Sequence, residues 1–201
     1  MEQTFFSICI GRQLASGGRE VGRRLAERLG AAYYDSEILD LAARESGLCR
    51  EAFERNDERK GFFGTAVRSM SSFIGMGAPY PGQSRDIELF TMQSEAIQKA
   101  ASEGNCIFIG RAADYVLRNH PHCLSVFISA DEAARIGLLC REKGICESEA
   151  RNLMDRVDAK RASFYNFYSG KKWGDAKSYD LCINVTRVGI EKAVNMIAEA
   201  L

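Results

Sequence analysis

The stretch "ICIGRQLASGGREVGRRLAERLG", residues 8–30, decides how the chain is read. It continues an apolar run that begins at Phe5 and ends at Ile10, the composition of a buried strand. A Gly- and Ser-rich bend follows. From Gly18 onward Val21, Leu25 and Leu29 fall on one face, which predicts a helix to about Leu29. A strand, a bend and a helix start in that order aim several backbone N–H groups at one point, and the helix dipole adds partial positive charge there. Glycines let such a backbone close round a phosphate without a Cβ in the way. Ser16, Gly17, Gly18 and Arg19 supply that backbone here. The bend departs from G-x-x-x-x-G-K-[ST]: Gly18 stands where the lysine would be and Arg19 where the Ser or Thr would be. Two side chains are placed to replace the lysine charge, Arg19 at the helix start or Arg12 at the entry to the loop. Ser16 is a near substitute for the hydroxyl.

The 201 residues suffice for one sizeable core. Lys plus Arg and Asp plus Glu number 27 each, so net charge draws the chain neither to nucleic acid nor to a membrane surface. The seven cysteines are odd in number, have no C-x-x-C spacing and sit mostly in apolar stretches. That pattern predicts a reducing, cytoplasmic setting without a disulfide framework or zinc site. The N-terminus lacks the charge order of a signal peptide, and no apolar run is long enough to span a bilayer. His120 and His122 flank Pro121 in a turn and have no third ligand in view.

Short apolar runs alternate with helical periodicity, the mark of parallel βαβ units and an α/β fold. Strands are expected at Phe5–Ile10, Ala31–Tyr34, Cys106–Ile109, Leu124–Ile128 and Leu181–Val185. Helices are expected at 18–29, from a Ser36 cap to about Glu45, at Ile87–Glu103, from Asp131 to Gly144, from Glu147 to Tyr165, and from Ile190 to Leu201. Between Gly61 and Gly82 lie five glycines and two prolines without clear period, a tract of the functional or mobile kind.

Beyond the loop, "SGGREVG" at 16–22, "YYDSEIL" at 33–39, "IGRAADYVLR" at 109–118, "DAKRASFYNFYSGKKWGD" at 158–175 and "YDLCINVTRVGIEKAV" at 179–194 together resemble the cytidylate-kinase-like family, over nearly the full length and in the same order. The resemblance implies a P-loop kinase-type three-layer fold: a five-stranded parallel sheet with flanking helices, an insert that binds a nucleoside monophosphate, and a helical lid. On this reading 1–201 is a single kinase-like domain with core 1–47 and 87–201, a mobile insert at about 48–86 and a lid at about 132–172. It implies ATP and Mg²⁺, small-molecule nucleotides as partners, and phosphoryl transfer to a nucleoside monophosphate, CMP or dCMP first. The altered loop keeps two alternatives open: a nucleotide-binding module of the same fold without turnover, and a kinase of another small metabolite.

The resemblance also implies roles. Asp35 and Ser36 match an Asp-Ser pair at the monophosphate site. The arginine that follows in the family falls on Leu41, and Arg44 is one turn on. Arg111 matches the Arg of a Gly-Arg-Asp motif, with Ala112 in place of the acid. Arg135 falls where a phosphate-contacting arginine opens the lid. Asp158 and Arg161 match an Asp-x-x-Arg pair in which the acid holds ribose and the arginine holds phosphate. A further lid arginine falls on Met154, with Arg151 or Arg156 nearby, and Arg141 adds another lid cation. Transfer between phosphates needs alignment, exclusion of water and positive charge at the transferring oxygens, so converging guanidinium forks suit it. Arg19, Arg111, Arg135 and Arg161 are the candidates for that work. Plainer readings stand beside these: Asp35 as a helix cap, Asp158 and Arg161 as a surface ion pair, the lid arginines as a solvated face, and the aromatics from Phe164 to Trp173 as packing.

Overall fold

A computed structural model describes residues 5–35 and 83–201. Ser36, Arg44, the helix expected to reach Glu45 and the Gly61–Gly82 tract lie outside those residues. Five strands, β1 (Ser7–Arg12), β2 (Ala32–Tyr34), β3 (Cys106–Ile109), β4 (Cys123–Ser129) and β5 (Leu181–Asn184), form one parallel sheet in the order β2-β3-β1-β4-β5. The described helices are α1 (Gly18–Leu29), α2 (Gln83–Glu103), α3 (Ala113–Val116), α4 (Glu132–Lys143), α5 (Glu147–Ser169), α6 (Val185–Val188) and α7 (Ile190–Glu199). Two compact units can be drawn, one of Met1–Ser36 with Ile97–Leu201 and one of Glu37–Ala96. The sheet and the loop belong to the first.

Strand β1 is central: Ile8 lies opposite Ile107 of β3 and Leu124 of β4. Ile8, Ile10, Ile107, Ile109, Val126, Ile128 and Ile183 form one buried layer with Val21 and Leu25 of α1 and Ala193, Val194 and Ile197 of α7. The intervening residues Cys9, Phe108 and Phe127 are buried as well. With both faces covered, the strands read as unbroken apolar runs rather than alternating ones. Helices α4 and α5 form a hairpin closed by Gly144, whose left-handed backbone (φ 65°) ends α4. Its small core is Ile136, Leu139, Ala150 and Met154, and Leu14 and Ala15 of the loop after β1 pack against it.

Several boundaries differ from expectation. Strand β1 runs two residues further, to Arg12, because Gly11 and Arg12 stay paired with Phe127 and Ile128 although the apolar signal stops at Ile10. Helix α5 continues to Ser169, where Gly170 (φ 68°) caps it through its N–H to Asn166 O. Helix α7 ends at Glu199, leaving Leu201 exposed rather than inward. No helix among the described residues is long and apolar enough to cross a membrane.

Leu25 is fully buried between α1 and the sheet. Leu25→Ala is expected to destabilise the protein by about 2–5 kcal/mol through lost transfer energy and the cavity it leaves, read as a lowered denaturant midpoint at unchanged slope.

Candidate functional site

The loop after β1 is pinned from beneath. Gln13 N–H donates to Ile128 O (3.1 Å), and the buried Ser16 hydroxyl donates to Gln13 O (2.9 Å) and Ile128 O (3.1 Å). The one hydroxyl proton of Ser16 is shared between the two carbonyls and is not offered to a phosphate. Its side chain anchors the loop to β4. Gly17 turns the chain into α1 with a left-handed backbone (φ 76°), and no side chain caps that helix start. Gly18 is glycine for lack of space: a Cβ there would stand 2.5 Å from Arg12 Cβ. A side chain at 18 and the side chain of Arg12 exclude each other.

Arg12 then crosses to the end of β3, where a Cβ on Gly110 would lie 2.2 Å from its Nη1. Arg12 is 9% exposed, its Nε has no hydrogen-bond partner, and no carboxylate among the described residues pairs with it. Burial first, and then the charges of Arg161, Arg19 and Arg111, push its guanidinium down to about 9, which leaves it charged at neutral pH. Arg161, from α5, donates through Nη1 to Arg12 O (3.1 Å). Burial lowers its pKa foremost, Asp158 opposes that, and Arg19 and Arg135 add to it. Arg111 follows β3 in a run of three left-handed residues, Gly110 (79°), Arg111 (60°) and Ala112 (51°). Two of these carry side chains, a strained backbone of the sort found at functional sites. The Arg111 guanidinium lies over the Phe164 ring, 5.5 Å from its centroid.

One carboxylate stands among these cations. Asp158 Oδ1 accepts from Leu14 N–H (2.8 Å) and lies 3.6 Å from Arg161 Nη1, while Oδ2 is ion-paired and hydrogen-bonded to Arg135 Nη2. Arg135, buried in α4, donates through Nε to Leu14 O (2.7 Å). The Leu14 peptide is thus held at both ends by a buried ion pair bridging α4 and α5. Asp158 thereby positions the loop. Nor are Asp158 and Arg161 merely a surface pair.

Asp35 follows β2, partly exposed; burial foremost raises the Tyr33 phenol, Asp35 adds to the rise, and Arg23, Arg19 and Arg12 oppose it. Arg141 and Arg156 are exposed and make no hydrogen bond or ion pair among the described residues. Arg151 is exposed and pairs with Glu132. The structure therefore does not bring these three to the loop. Met154 explains its own substitution: it faces the α4–α5 core at 3% exposure, where an arginine would be buried without a partner. The aromatic set packs, with Phe127 edge-on to Trp173 and Tyr165 stacked on Tyr179.

Sequence reasoning missed Asp114. It lies buried two residues past Ala112, accepts from the Tyr165 hydroxyl (2.7 Å), and is 3.9 Å from Lys171 Nζ. Burial raises its pKa, against the lowering effects of Tyr165 and Lys171. It ties the turn bearing Arg111 to α5. The visible signal was an acid close to where the family motif places one.

A glycine bend thus follows the central strand of a 2-3-1-4-5 parallel sheet, with Arg12, Arg19, Arg111, Arg135 and Arg161 around it. The profile of the cytidylate kinase-like family matches residues 7–187. The chain belongs to the cytidylate kinase-like family. Among solved structures it is similar to an uncharacterized protein from Eubacterium ventriosum ATCC 27560, at 26% identity with 97% of each chain covered and a TM-score of 0.73. It shares its fold with a gluconokinase from Sinorhizobium meliloti 1021 (14% identity, 98% and 95% covered, TM-score 0.52). A shikimate kinase from Bacteroides thetaiotaomicron has it too (16% identity, 97% of each covered, TM-score 0.50). No curated protein matches the chain. Family and fold together are those of a P-loop kinase.

Two outcomes follow from the buried carboxylates. Asp158→Ala should cost about 3–5 kcal/mol, because it leaves Arg135 charged and buried without its partner; chemical denaturation checks this. For Asp114, the folded carboxyl has a pKa above its ordinary value of 3.8. The unfolded chain therefore ionises first, and the stability that wild type draws from this group falls as pH rises from about 4 through the raised value. Asp114→Asn should remove that slope, seen as a flatter melting temperature profile between about pH 4 and 7 than wild type shows.

Proposed function

We propose that the protein transfers the terminal phosphoryl group of ATP to a nucleoside monophosphate, with CMP or dCMP the favoured acceptor. The observation that carries this is Arg12: a buried guanidinium without a carboxylate partner, at the end of the central strand, with Arg19, Arg111 and Arg161 contributing further positive charge. A protein interior holds such a charge only where an anion compensates it. The backbone at 16–19 cradles the donor phosphates, and Arg12 with Arg19 supplies the charge of the missing lysine. Asp35, Ser36 and Arg44 are assigned to the acceptor monophosphate, and Arg111 and Arg161 to the oxygens between donor and acceptor. In transfer, an acceptor phosphate oxygen forms a bond to the γ-phosphorus as the bond to the ADP oxygen breaks, giving ADP and a nucleoside diphosphate. Guanidinium forks hold the two phosphates in line and offset their repulsion. Asp158 and Arg135 keep the loop in the shape this requires. Arg141, Arg151 and Arg156 are proposed as lid cations that engage the nucleotide on closure.

The described residues of the loop do not fit a protein-held Mg²⁺. Position 19 carries Arg where the hydroxyl ligand belongs, Ser16 Oγ is buried against Gln13 O and Ile128 O, and Asp158 is held by Leu14 and Arg135. No step is therefore routed through the ion.

The test is ADP formation over a panel of nucleoside monophosphates, expected to be highest with CMP or dCMP. Arg12→Ala and Arg19→Ala should each weaken ATP binding about ten- to hundredfold, the loss of one charge-assisted contact of about 1.5–3 kcal/mol, measured by calorimetric titration. Nucleotide-dependent thermal stabilisation without ADP release would instead favour a binding module, and turnover with a different small hydroxylated acceptor would favour another metabolite.

A further inference from the structure

The mismatch with Mg²⁺ can be taken further, resting on the phosphate loop being the donor site proposed above. We infer that this loop binds the polyphosphate tail of its nucleotide through backbone N–H and guanidinium groups, so that binding does not draw on Mg²⁺. A P-loop of the common kind divides the work between an ammonium at the first helical position, which reaches the β- and γ-phosphates, and a hydroxyl at the next, which holds the metal. In this chain both positions have changed together. The first is Gly18, with no space for a side chain because Arg12 Cβ and Cγ stand 2.5 and 3.0 Å from where its Cβ would be. The second is Arg19, a cation where a metal ligand belongs. The neighbouring strand β3 ends at Ile109, and Gly110 and Arg111, which follow it, carry no carboxylate. The carboxylate of the turn beyond it, Asp114, is committed to the Tyr165 hydroxyl and sits near Lys171. Asp158 is committed to the Leu14 peptide and Arg135.

The helix start is not the whole basis for an anion here. Arg12 runs from beside Gly18 to Gly110, more than nine-tenths buried, with Nε unpartnered. Its stem packs against the residue that opens the helix, and Arg161, Arg19 and Arg111 add positive charge around it. A site of this composition competes with Mg²⁺ for the same phosphate oxygens: the ion halves the charge of the ATP tail and gains no ligand from the described loop residues in return. Metal-free ATP, and inorganic tripolyphosphate as a probe without base or sugar, should therefore bind at least as tightly as their Mg²⁺ complexes.

The experiment is calorimetric titration of the full chain with ATP and with tripolyphosphate, each in excess EDTA and in excess Mg²⁺. Dissociation constants in EDTA equal to or below those in Mg²⁺ support the inference. Tightening by Mg²⁺ of about tenfold or more overturns it while leaving the donor-site assignment standing. Absence of binding in both conditions overturns the inference and the proposed function together. The reconstruction Arg12→Gly, Gly18→Lys, Arg19→Thr restores the common pattern, and its affinity for ATP should rise on adding Mg²⁺. If it does not fold, Arg19→Thr alone makes the same comparison, since it removes the cation and offers a hydroxyl. An unchanged metal response in the single variant would count against the inference.

Discussion

The site depends on one steric exclusion, between the Arg12 side chain and any side chain at position 18. Strand β1 delivers Arg12 to the end of the sheet still paired with β4, and its Cβ arrives where the Cβ of the first helical residue would be. Position 18 of the helix therefore carries no side chain, its space being taken by Arg12 of the strand, and the consequences spread outward. Gly18 must be glycine. Gly110 must lack a side chain because the guanidinium passes over it. The carbonyl of Arg12 is held by Arg161, so the strand end is fixed from the α5 side as well.

A dense set of like charges needs support, and the Asp158 carboxylate provides it. It compensates Arg135 and Arg161, binds the Leu14 N–H, and leaves Arg12 for an external anion. Breaking a buried pair of this kind strands a charge, so each member holds the others in place. The same network gives α4 and α5 a fixed relation to the loop: Leu14 and Ala15 pack on the hairpin core while their backbone is held by its charged residues. Packing and electrostatics thus act together on the short stretch at Leu14 and Ala15, which fixes the shape of the loop.

Much of this was legible in the sequence. Runs such as Cys106–Ile109 and the spacing of Val21 and Leu25 reported a buried sheet and its covering helix, because hydrophobic period is a local property. The ordered blocks from "SGGREVG" to "YDLCINVTRVGIEKAV" pointed to the family that the profile match then established. What was not legible has a shared cause. Ser16 gives its proton to carbonyls 3 and 112 residues away in sequence. The resemblance implies a ribose-holding role for Asp158, and nothing in it shows the partner Arg135, which lies on a different helix 23 residues earlier. Which partner a polar group takes is decided by contacts between distant segments, and a pattern of residues three or four apart does not contain them.

The amino-acid order by itself therefore determined the α/β architecture, the loop between β1 and α1, the surplus of arginines in the right blocks and the loss of the lysine and hydroxyl from the motif. Only the folded chain decided which arginines meet: Arg12, Arg19, Arg111, Arg135 and Arg161 converge, whereas Arg141, Arg151 and Arg156 stay on the solvent side of α4 and α5. The physical reason is that charge acts over a few ångströms of space regardless of separation along the chain, and it is the sheet order, with β1 between β3 and β4, that brings residues 12, 111 and 161 together.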